Sequence, residues 1–555
     1  MTRDRLASAG RVRDHHSFAS MVLVTASLVA ITLVTTWPLC SLGGSRIAGD
    51  AMDPSQTVWG FWWWRHYAEF SGTPFVGSLL WWPNGVSLWF QSWDLPSTFV
   101  AVASSRWMSE VSVYNVLIFA SFPLSGLTLY LLCLELWSSR VAAWCSCCLY
   151  TFSTYHFAHA QMQLHLSSMQ WSPLFFLGLI RFARYGGYPN ALLAGASLAL
   201  ASLTSIYHLV FCAIGTLVMA MAGFPERPRP QVSPQRVAPL AAGVGIFAIM
   251  AGWLLVGMAH SYASETYVRV HDPDVFSADI QSFFLPNAVS TWSEKWQAWR
   301  SWTGNSWESS SYLGYVVLAL AASSWWLDTA SRPFLWLSIV GVVLALGPHP
   351  HIGGTVYRDL TLPQAWLEQA LPALSFSGLP VRFSWLATFG LAVASGAPLA
   401  RLCRTGVIGC GIALALTALS LAETWPRHFI ATKWTTPRIF LDWAADNGRW
   451  AVLDGTELGH GLWNQMQHHH PMVAGYATRF PRRLLDSLDQ ESTLKALLPA
   501  PFSGPLHVAP DAGRASLRRA GVRYVIADAS RTGNATALKL VERYRSDGIV
   551  IYEVP

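Results

Sequence analysis

Apolar runs about as long as a membrane crossing set the pattern of this chain, and polar segments separate them. The first starts at Met21 and continues for about twenty residues, enough helix to cross a hydrocarbon core about 30 Å thick. Ten more follow, near 113–137, 138–155, 166–182, 190–206, 208–223, 237–259, 312–328, 333–348, 383–400 and 405–423. The pattern predicts an α-helical polytopic membrane protein with about 11 transmembrane helices. The run LPSTFVAVASSRW at 95–107 is too short to cross and predicts a surface or re-entrant helix.

Charge orients these spans. The N-terminal MTRDRLASAGRVRDHH is basic, and no small-residue cleavage site follows in TTWPLCSLGG. A retained first helix with its N-terminus in the cytoplasm is therefore expected, in preference to a cleaved signal peptide. Alternating sides from there puts the short basic segments inside: SSR at 138–140, Arg181 and Arg184, PERPRPQVSPQR at 225–236, DTASR at 328–332 and RLCR at 401–404. The long loops 43–112, 260–311 and 349–382, and everything after about 424, fall outside, in agreement with the positive-inside rule. A transmembrane domain over 1–430 is thus expected.

Residues 431–555 change character and predict a small extracytoplasmic α/β domain. PRIFLDWAADNG reads as a helix, RWAVLDG as a strand, APDAGRASLRRAG as a helix and VRYVIAD as a strand. NATALKLVERYRSDG then reads as a helix and IVIYEV as a strand. This segment has no phosphate-cradling glycine loop and no Ser/His/Asp arrangement.

Composition narrows the class further. Of 555 residues, 52% are hydrophobic and only 12% charged, about half the share of an average soluble domain. Disorder, collagen-like repeats and a small secreted disulfide scaffold are excluded. The net charge of +6 reflects arginines that orient spans, so no nucleic-acid partner is expected. All eight cysteines lie in or beside apolar runs, and CSCC at 145–148 reads as small-residue helix packing rather than a metal site.

With few charges inside the spans, candidate chemistry gathers in the outer loops, near the membrane edge. The first loop carries GGSRIAGDAMDPSQTVWGFWWWRHYAEF. Asp53 followed by Pro54 predicts a helix start, with Asp53 as N-cap. Trp59, Trp62, Trp63 and His66 then share one face, a stripe suited to a helix lying in the headgroup interface. Asp50 has no such structural duty. It sits in a loop made flexible by Gly43, Gly44 and Gly49.

A first membrane helix, a long outer loop with an early acidic residue, an interfacial helix and many further spans resemble the C-type glycosyltransferase (GT-C) superfamily. The segments GDAMDPSQTVWGFWWW, WWPNGVSLWF, YHFAHAQMQLHLSSMQWSPL, FFLPN, ESSSYLGY and VAGYATRFP also look like a widespread class of bacterial membrane proteins described as glycosyltransferase-like. The resemblance implies a GT-C-like fold at a bacterial cytoplasmic membrane. It further implies inverting transfer of a sugar from a polyprenyl-phosphate donor to a glycan, lipid or protein acceptor at the outer face. An acidic residue of the first outer loop would be the catalytic base, and both Asp50 and Asp53 match that position.

Such a transfer needs a carboxylate for the acceptor proton and cations for the departing phosphate. Arg382, at the outer start of a span, is the first choice for the phosphate, with Arg269 and Arg358 behind it. Glu308, just before a span, is a candidate to orient an acceptor hydroxyl or an arginine. His156, His159 and His165 cluster at one outer turn and His208 lies at another; His159, His165 and His208 are candidates for sugar or phosphate binding. Asp272 and Asp274 have the D-x-D spacing of metal-dependent glycosyltransferases, a weak signal that leaves a divalent cofactor open and establishes none. His468, His469 and His470 read as a solvated loop. Arg479, in GYATRFP, is placed at the membrane-side cleft by the resemblance. The alternative function is a non-catalytic transporter or assembly factor for lipid-linked glycans built on the same fold.

Overall fold

Helices dominate the computed structural model, which describes residues 18–50, 52–225, 234–370, 378–446, 448, 450–546 and 548–555. The basic segment 1–16, most of the basic loop 225–236 and part of the loop 349–382 lie outside the described residues. Among the described residues four helices are long and apolar enough to cross a membrane: Phe18–Thr35, Glu110–Trp137, Pro234–Ser264 and Pro380–Cys403. Ile206–Ala222, Tyr315–Leu327, Thr329–Ala345 and Val407–Glu423 are shorter apolar helices. Arg140–Thr151, Trp171–Tyr185 and Tyr188–Thr204 occupy the other apolar runs. This is a mostly helical, multi-pass integral membrane protein.

The run expected to span 138–155 breaks. Its helix ends at Thr151, and Ser153 caps a new short helix, Thr154–Ala160, by accepting from the backbone N–H of His156 at 3.4 Å. A second short helix, Leu164–Ser167, precedes Trp171–Tyr185. A serine able to satisfy the new helix's free N–H groups makes the break stable. The break turns the histidine-bearing turn into folded, fully buried structure.

The chain divides into two units. The first takes the described residues up to Ser41, then Val116–Trp253 and Arg269–Phe429. Ser384–Cys403 is its central helix, with Trp385, Leu386, Phe389, Val393 and Ala394 fully buried. Phe211, Trp385 and Phe389 stack in near-parallel series at 5.1 Å spacings. Elsewhere helices meet through glycine. A Cβ on Gly178 would lie 2.6 Å from the backbone N of Ala194, and one on Gly195 would lie 2.0 Å from the carbonyl oxygen of Gly243. Close backbone approach through small residues is how helices pack where lipid removes the hydrophobic drive.

The second unit assembles Leu42–Asn115, Leu254–Val268 and Ile430–Pro555. Its mixed sheet has strands β1 (Ala451–Asp454), β2 (Val522–Asp528), β3 (Val541–Ser546) and β4 (Ile549–Glu553) in the order β1-β2-β4-β3. β1 runs parallel to β2, and the other pairs are antiparallel. Phe440, Trp443, Trp450, Val452, Ile526, Ile549 and Ile551 form the core on it.

The helix expected over NATALKLVERYRSDG is mostly not one. Only Gly533–Ala537 is helical, and VERYRS is β3. Lys539 adopts the left-handed region at φ 54° and ends the helical path. The hairpin β3–β4 then pairs Tyr544 with Ile551. Tertiary pairing has overridden a locally helical composition.

The tryptophan stripe and the histidine run are both placed otherwise than their local pattern predicts. The tryptophan stripe does not face a headgroup layer: Trp59, Trp62 and Trp63 are buried within the second unit. There the Trp59 indole donates to Gln465 Oε1 of the Leu458–His468 helix at 2.8 Å. His468 and His470 are likewise buried rather than solvated. His470 stacks on Trp450 at 3.6 Å, and its Nε2 lies 2.8 Å from the Trp443 carbonyl oxygen. Aromatic side chains with one polar tip are satisfied equally well in a core as at an interface when a partner is present.

Candidate functional site

Within the first unit the broken helix, the loop before Tyr315–Leu327 and the start of the central helix bring polar side chains together. Asn305 Oδ1 accepts from the backbone N–H of Glu308 at 2.9 Å and turns that carboxylate inward. Pro380–Phe383 forms a short 3-10 turn leading into the central helix and carries Arg382. The side chains of Arg382 and Glu308 are only 8% and 4% exposed. Arg382 Nη2 donates to Glu308 Oε1 at 2.5 Å, and its Nε lies 3.2 Å from both carboxylate oxygens. Gln163 Nε2 donates to Glu308 Oε1 at 3.1 Å, and Gln163 Oε1 faces His159 Nδ1 at 3.0 Å. The guanidinium also lies over the Tyr207 ring, 4.8 Å from its centroid.

Burial alone would raise the Glu308 carboxyl, but the charge and hydrogen bonds of Arg382 win and bring it to about 2. Burial lowers His159 to about 4 against the opposing pull of Glu308. It takes His165 well below the ordinary histidine range, and the Arg382 charge adds to that effect. The cluster thus presents one ionised pair and neutral imidazoles at neutral pH. Tyr155 Oη, beside the pair, is buried with no hydrogen-bond partner among the described residues. The Tyr155 ring lies 4.1 Å from that of His159, and Ser172 Oγ is 3.2 Å from His208 Nδ1. Orphaned buried donors are costly in a folded protein, and a ligand's hydroxyl or phosphate oxygens would satisfy them.

Five residues named from the sequence therefore share one neighbourhood: Glu308, Arg382, His159, His165 and His208. Gln163, Tyr155 and Tyr207 join them without having been singled out. Their signal was present in YHFAHAQMQLH and SIYHLVF, where each stands next to a histidine or within four residues of one.

Arg269 is elsewhere, 41% exposed and 3.2 Å from Glu368. Asp274 accepts from Arg358 Nε at 3.1 Å and sits 2.7 Å from His349 Nδ1. Its slight burial would raise the carboxyl, and these two partners outweigh that and lower it. Asp272 Oδ1 accepts from the backbone N–H of Asp274 at 2.9 Å. The D-x-D pair therefore does not fit a divalent cation, which would have to displace an arginine and a histidine. Among the described residues no group of three or more His, Cys, Asp or Glu side chains is placed to hold a metal ion.

The second unit holds Asp50, Asp53 and Arg479. The loop before Asp50, expected to be flexible, is pinned. Asn115 Nδ2 donates to the carbonyls of Gly43 and Arg46 at 2.8 Å, and its Oδ1 accepts from the N–H of Ala48 at 2.9 Å. Ile47–Ala48 pairs with Ala431–Thr432, and Gly49, at φ 95°, donates to the Ile430 carbonyl at 2.7 Å. Asp50 follows directly and is half-buried. The helix that follows starts at Met52, so Asp53 lies in its first turn rather than at the cap. A carboxylate is still favoured there by the helix dipole. Asp53 Oδ1 accepts from the Tyr476 hydroxyl at 3.0 Å. Gln56 Nε2 donates to Thr478 Oγ1 at 2.9 Å, and Arg479, 6% exposed, donates to the Thr478 carbonyl at 2.6 Å. Tyr476 and Thr478 belong to GYATRFP, a segment the sequence marked only for its arginine.

A family model described as a domain of unknown function, DUF6311, matches residues 21–422. No curated protein matches the sequence. Among solved structures, the fold resembles the arabinofuranosyltransferase AftD from Mycobacteria, with a TM-score of 0.60 at 12% identity. That match covers 97% of this chain and 40% of AftD, so this chain spans about two fifths of that protein. The archaeal oligosaccharyltransferase AglB from Archaeoglobus fulgidus, solved with an inhibitory peptide and a dolichol-phosphate, matches with a TM-score of 0.50 at 12% identity. That match covers 96% of this chain and 74% of AglB. The fold over nearly the whole chain is similar to that of GT-C glycosyltransferases.

Proposed function

The chain belongs to the DUF6311 family, and on that premise we propose that it is a membrane glycosyltransferase of the GT-C type. It transfers a sugar from a polyprenyl-phosphate donor to a cell-envelope glycan, lipid or protein at the outer face of a bacterial cytoplasmic membrane. The observation that carries this reading is the buried arginine of the first unit, held by Glu308 with the orphaned Tyr155 Oη close enough to feel its charge. A desolvated guanidinium with neutral donors beside it suits an oxygen-rich anion.

In the proposed step a carboxylate takes the acceptor's hydroxyl proton, and the acceptor oxygen bonds to the anomeric carbon. The bond from that carbon to the phosphate oxygen breaks, and its electron pair leaves with the polyprenyl phosphate. Arg382 stabilises the departing phosphate, with neutral His165 and His208 donating beside it. The base is Asp50 or Asp53. Glu308, ionised and gripped by Arg382, does not serve as the acid or base; it positions the guanidinium.

The test is transfer from radiolabelled polyprenyl-phosphate sugars in proteoliposomes. The parent should transfer at least one sugar of the panel. Asp50→Asn or Asp53→Asn, tested separately, should lower the rate by about 10² or more, the usual contribution of a general base. A well-folded parent inactive across the panel refutes the enzyme reading. Movement of the labelled lipid across the bilayer without transfer would assign the transporter alternative.

A further inference from the structure

A groove in the second unit lies apart from the residues given roles above. It is an open depression of about 680 Å³, and its lining includes Trp64, Arg65, His66, Arg106, Trp107 and Glu110. Arg65 neutralises Glu110 in an ion pair, and the remaining charge of the lining is positive. The Arg65 side chain is 9% exposed. Its Nη2 donates to the Ala101 carbonyl at 2.5 Å, while its Nε has no hydrogen-bond partner among the described residues. The Trp64 indole N–H is likewise buried without one. His66 Nδ1 is held by the Trp62 carbonyl at 2.8 Å, which leaves Nε2 for a ligand.

Beside this polar groove is an apolar surface. The Leu95–Ala103 helix is capped by Asp94, which accepts from the Ser97 N–H at 3.1 Å. Phe99 and Val100 on it are each 50% exposed, and Trp107 just beyond it is 80% exposed. An exposed tryptophan next to an exposed arginine, just past the end of a short helix with an apolar flank, is the arrangement of an element seated at a lipid interface. A small soluble anion would leave Phe99, Val100 and Trp107 uncovered. An anionic lipid covers them with its chains while its phosphate meets the exposed Arg106.

We propose that this groove binds the headgroup of an anionic phospholipid, with the acyl chains laid against Phe99, Val100 and Trp107. The site seats the first loop of the chain on the bilayer and selects the charge of the lipid there. It stands independently of the glycosyl-transfer reading.

The test uses the full chain in nanodiscs of phosphatidylglycerol and phosphatidylcholine, with the lipids retained on the protein counted by native mass spectrometry. The parent should retain phosphatidylglycerol over phosphatidylcholine. Arg106→Gln should cut that preference about fivefold, the equivalent of about 1 kcal/mol for one cation near an anionic headgroup. Trp107→Ala should weaken retention of both lipids. Both side chains are exposed, so neither change threatens folding. Soluble glycerol phosphate should not displace the lipid. Equal retention of the two lipids, an unchanged preference in Arg106→Gln, or displacement by glycerol phosphate would overturn the proposal, the last by showing a site for a free phosphoanion.

Discussion

Replacing Glu308 by Gln tests the buried pair most directly. The change keeps the side chain's size and one acceptor oxygen for Gln163, but leaves the Arg382 charge buried without its counter-ion. Lowering the Glu308 carboxyl from 4.5 to about 2 corresponds to about 3 kcal/mol, at about 1.4 kcal/mol per pH unit. Removing one partner of a buried pair independently costs about 3–5 kcal/mol. Heating the protein in detergent with a thiol-reactive fluorophore reads the loss, because Cys133, Cys145, Cys147, Cys148 and Cys212 are buried until the first unit opens. Glu308→Gln should lower the midpoint by about 5–10 °C. The double variant Glu308→Gln/Arg382→Gln should recover at least half of that loss, since no uncompensated charge remains. The pH dependence has a fixed sign. A carboxyl whose folded value is depressed stabilises fully above its unfolded value near 4.5, and that stabilisation fades as pH falls toward 2. The gap between parent and variant should therefore shrink in acid. A midpoint within about 1 °C of the parent, or a double variant as unstable as the two single losses combined, would refute the reasoning.

Three further outcomes follow from the geometry. His159 is lowered to about 4, so the unfolded chain binds its proton first. The stability this histidine provides is complete above about pH 6.5 and falls by about 2 kcal/mol by pH 5; His159→Gln should flatten that slope in the same thermal assay. Gly195→Ala should lower the midpoint by several degrees because its Cβ meets the Gly243 carbonyl, while Gly245→Ala, with open space around it, should not. Trp59→Phe removes the donor to Gln465 Oε1 at a cost of about 1–3 kcal/mol. Limited proteolysis of the Leu458–His468 region should speed up accordingly.

The helical layout was legible because it rests on run length alone: apart from the run at 138–155, which breaks at Thr151, apolar stretches from Met21 to 423 reappear as helices at nearly the same positions. The polar cluster of the first unit was partly legible for a related reason, since Glu308, Arg382, His159, His165 and His208 all stand near the ends of apolar runs. What the sequence hid depends on partners distant along the chain. Nothing local in FWWW says whether tryptophans meet lipid or Gln465, and nothing in HHH says that Trp443 and Trp450 will cover it. The carboxylate of Glu308 reads as a free group until Arg382, 74 residues away, is placed on it. VERYRS reads as helix until the strand after it offers a partner.

The second unit draws on three stretches of chain, and its tryptophan stripe is covered by a helix made nearly four hundred residues later. At a synthesis rate of about 5–20 residues per second, Trp59, Trp62 and Trp63 wait about 20–80 s for the segment that buries them. Throughout that interval the growing chain displays an adhesive aromatic surface. Its biogenesis therefore calls for a holding factor, and chains that stop before residue 430 should be cleared by quality-control proteases rather than persist as shorter forms.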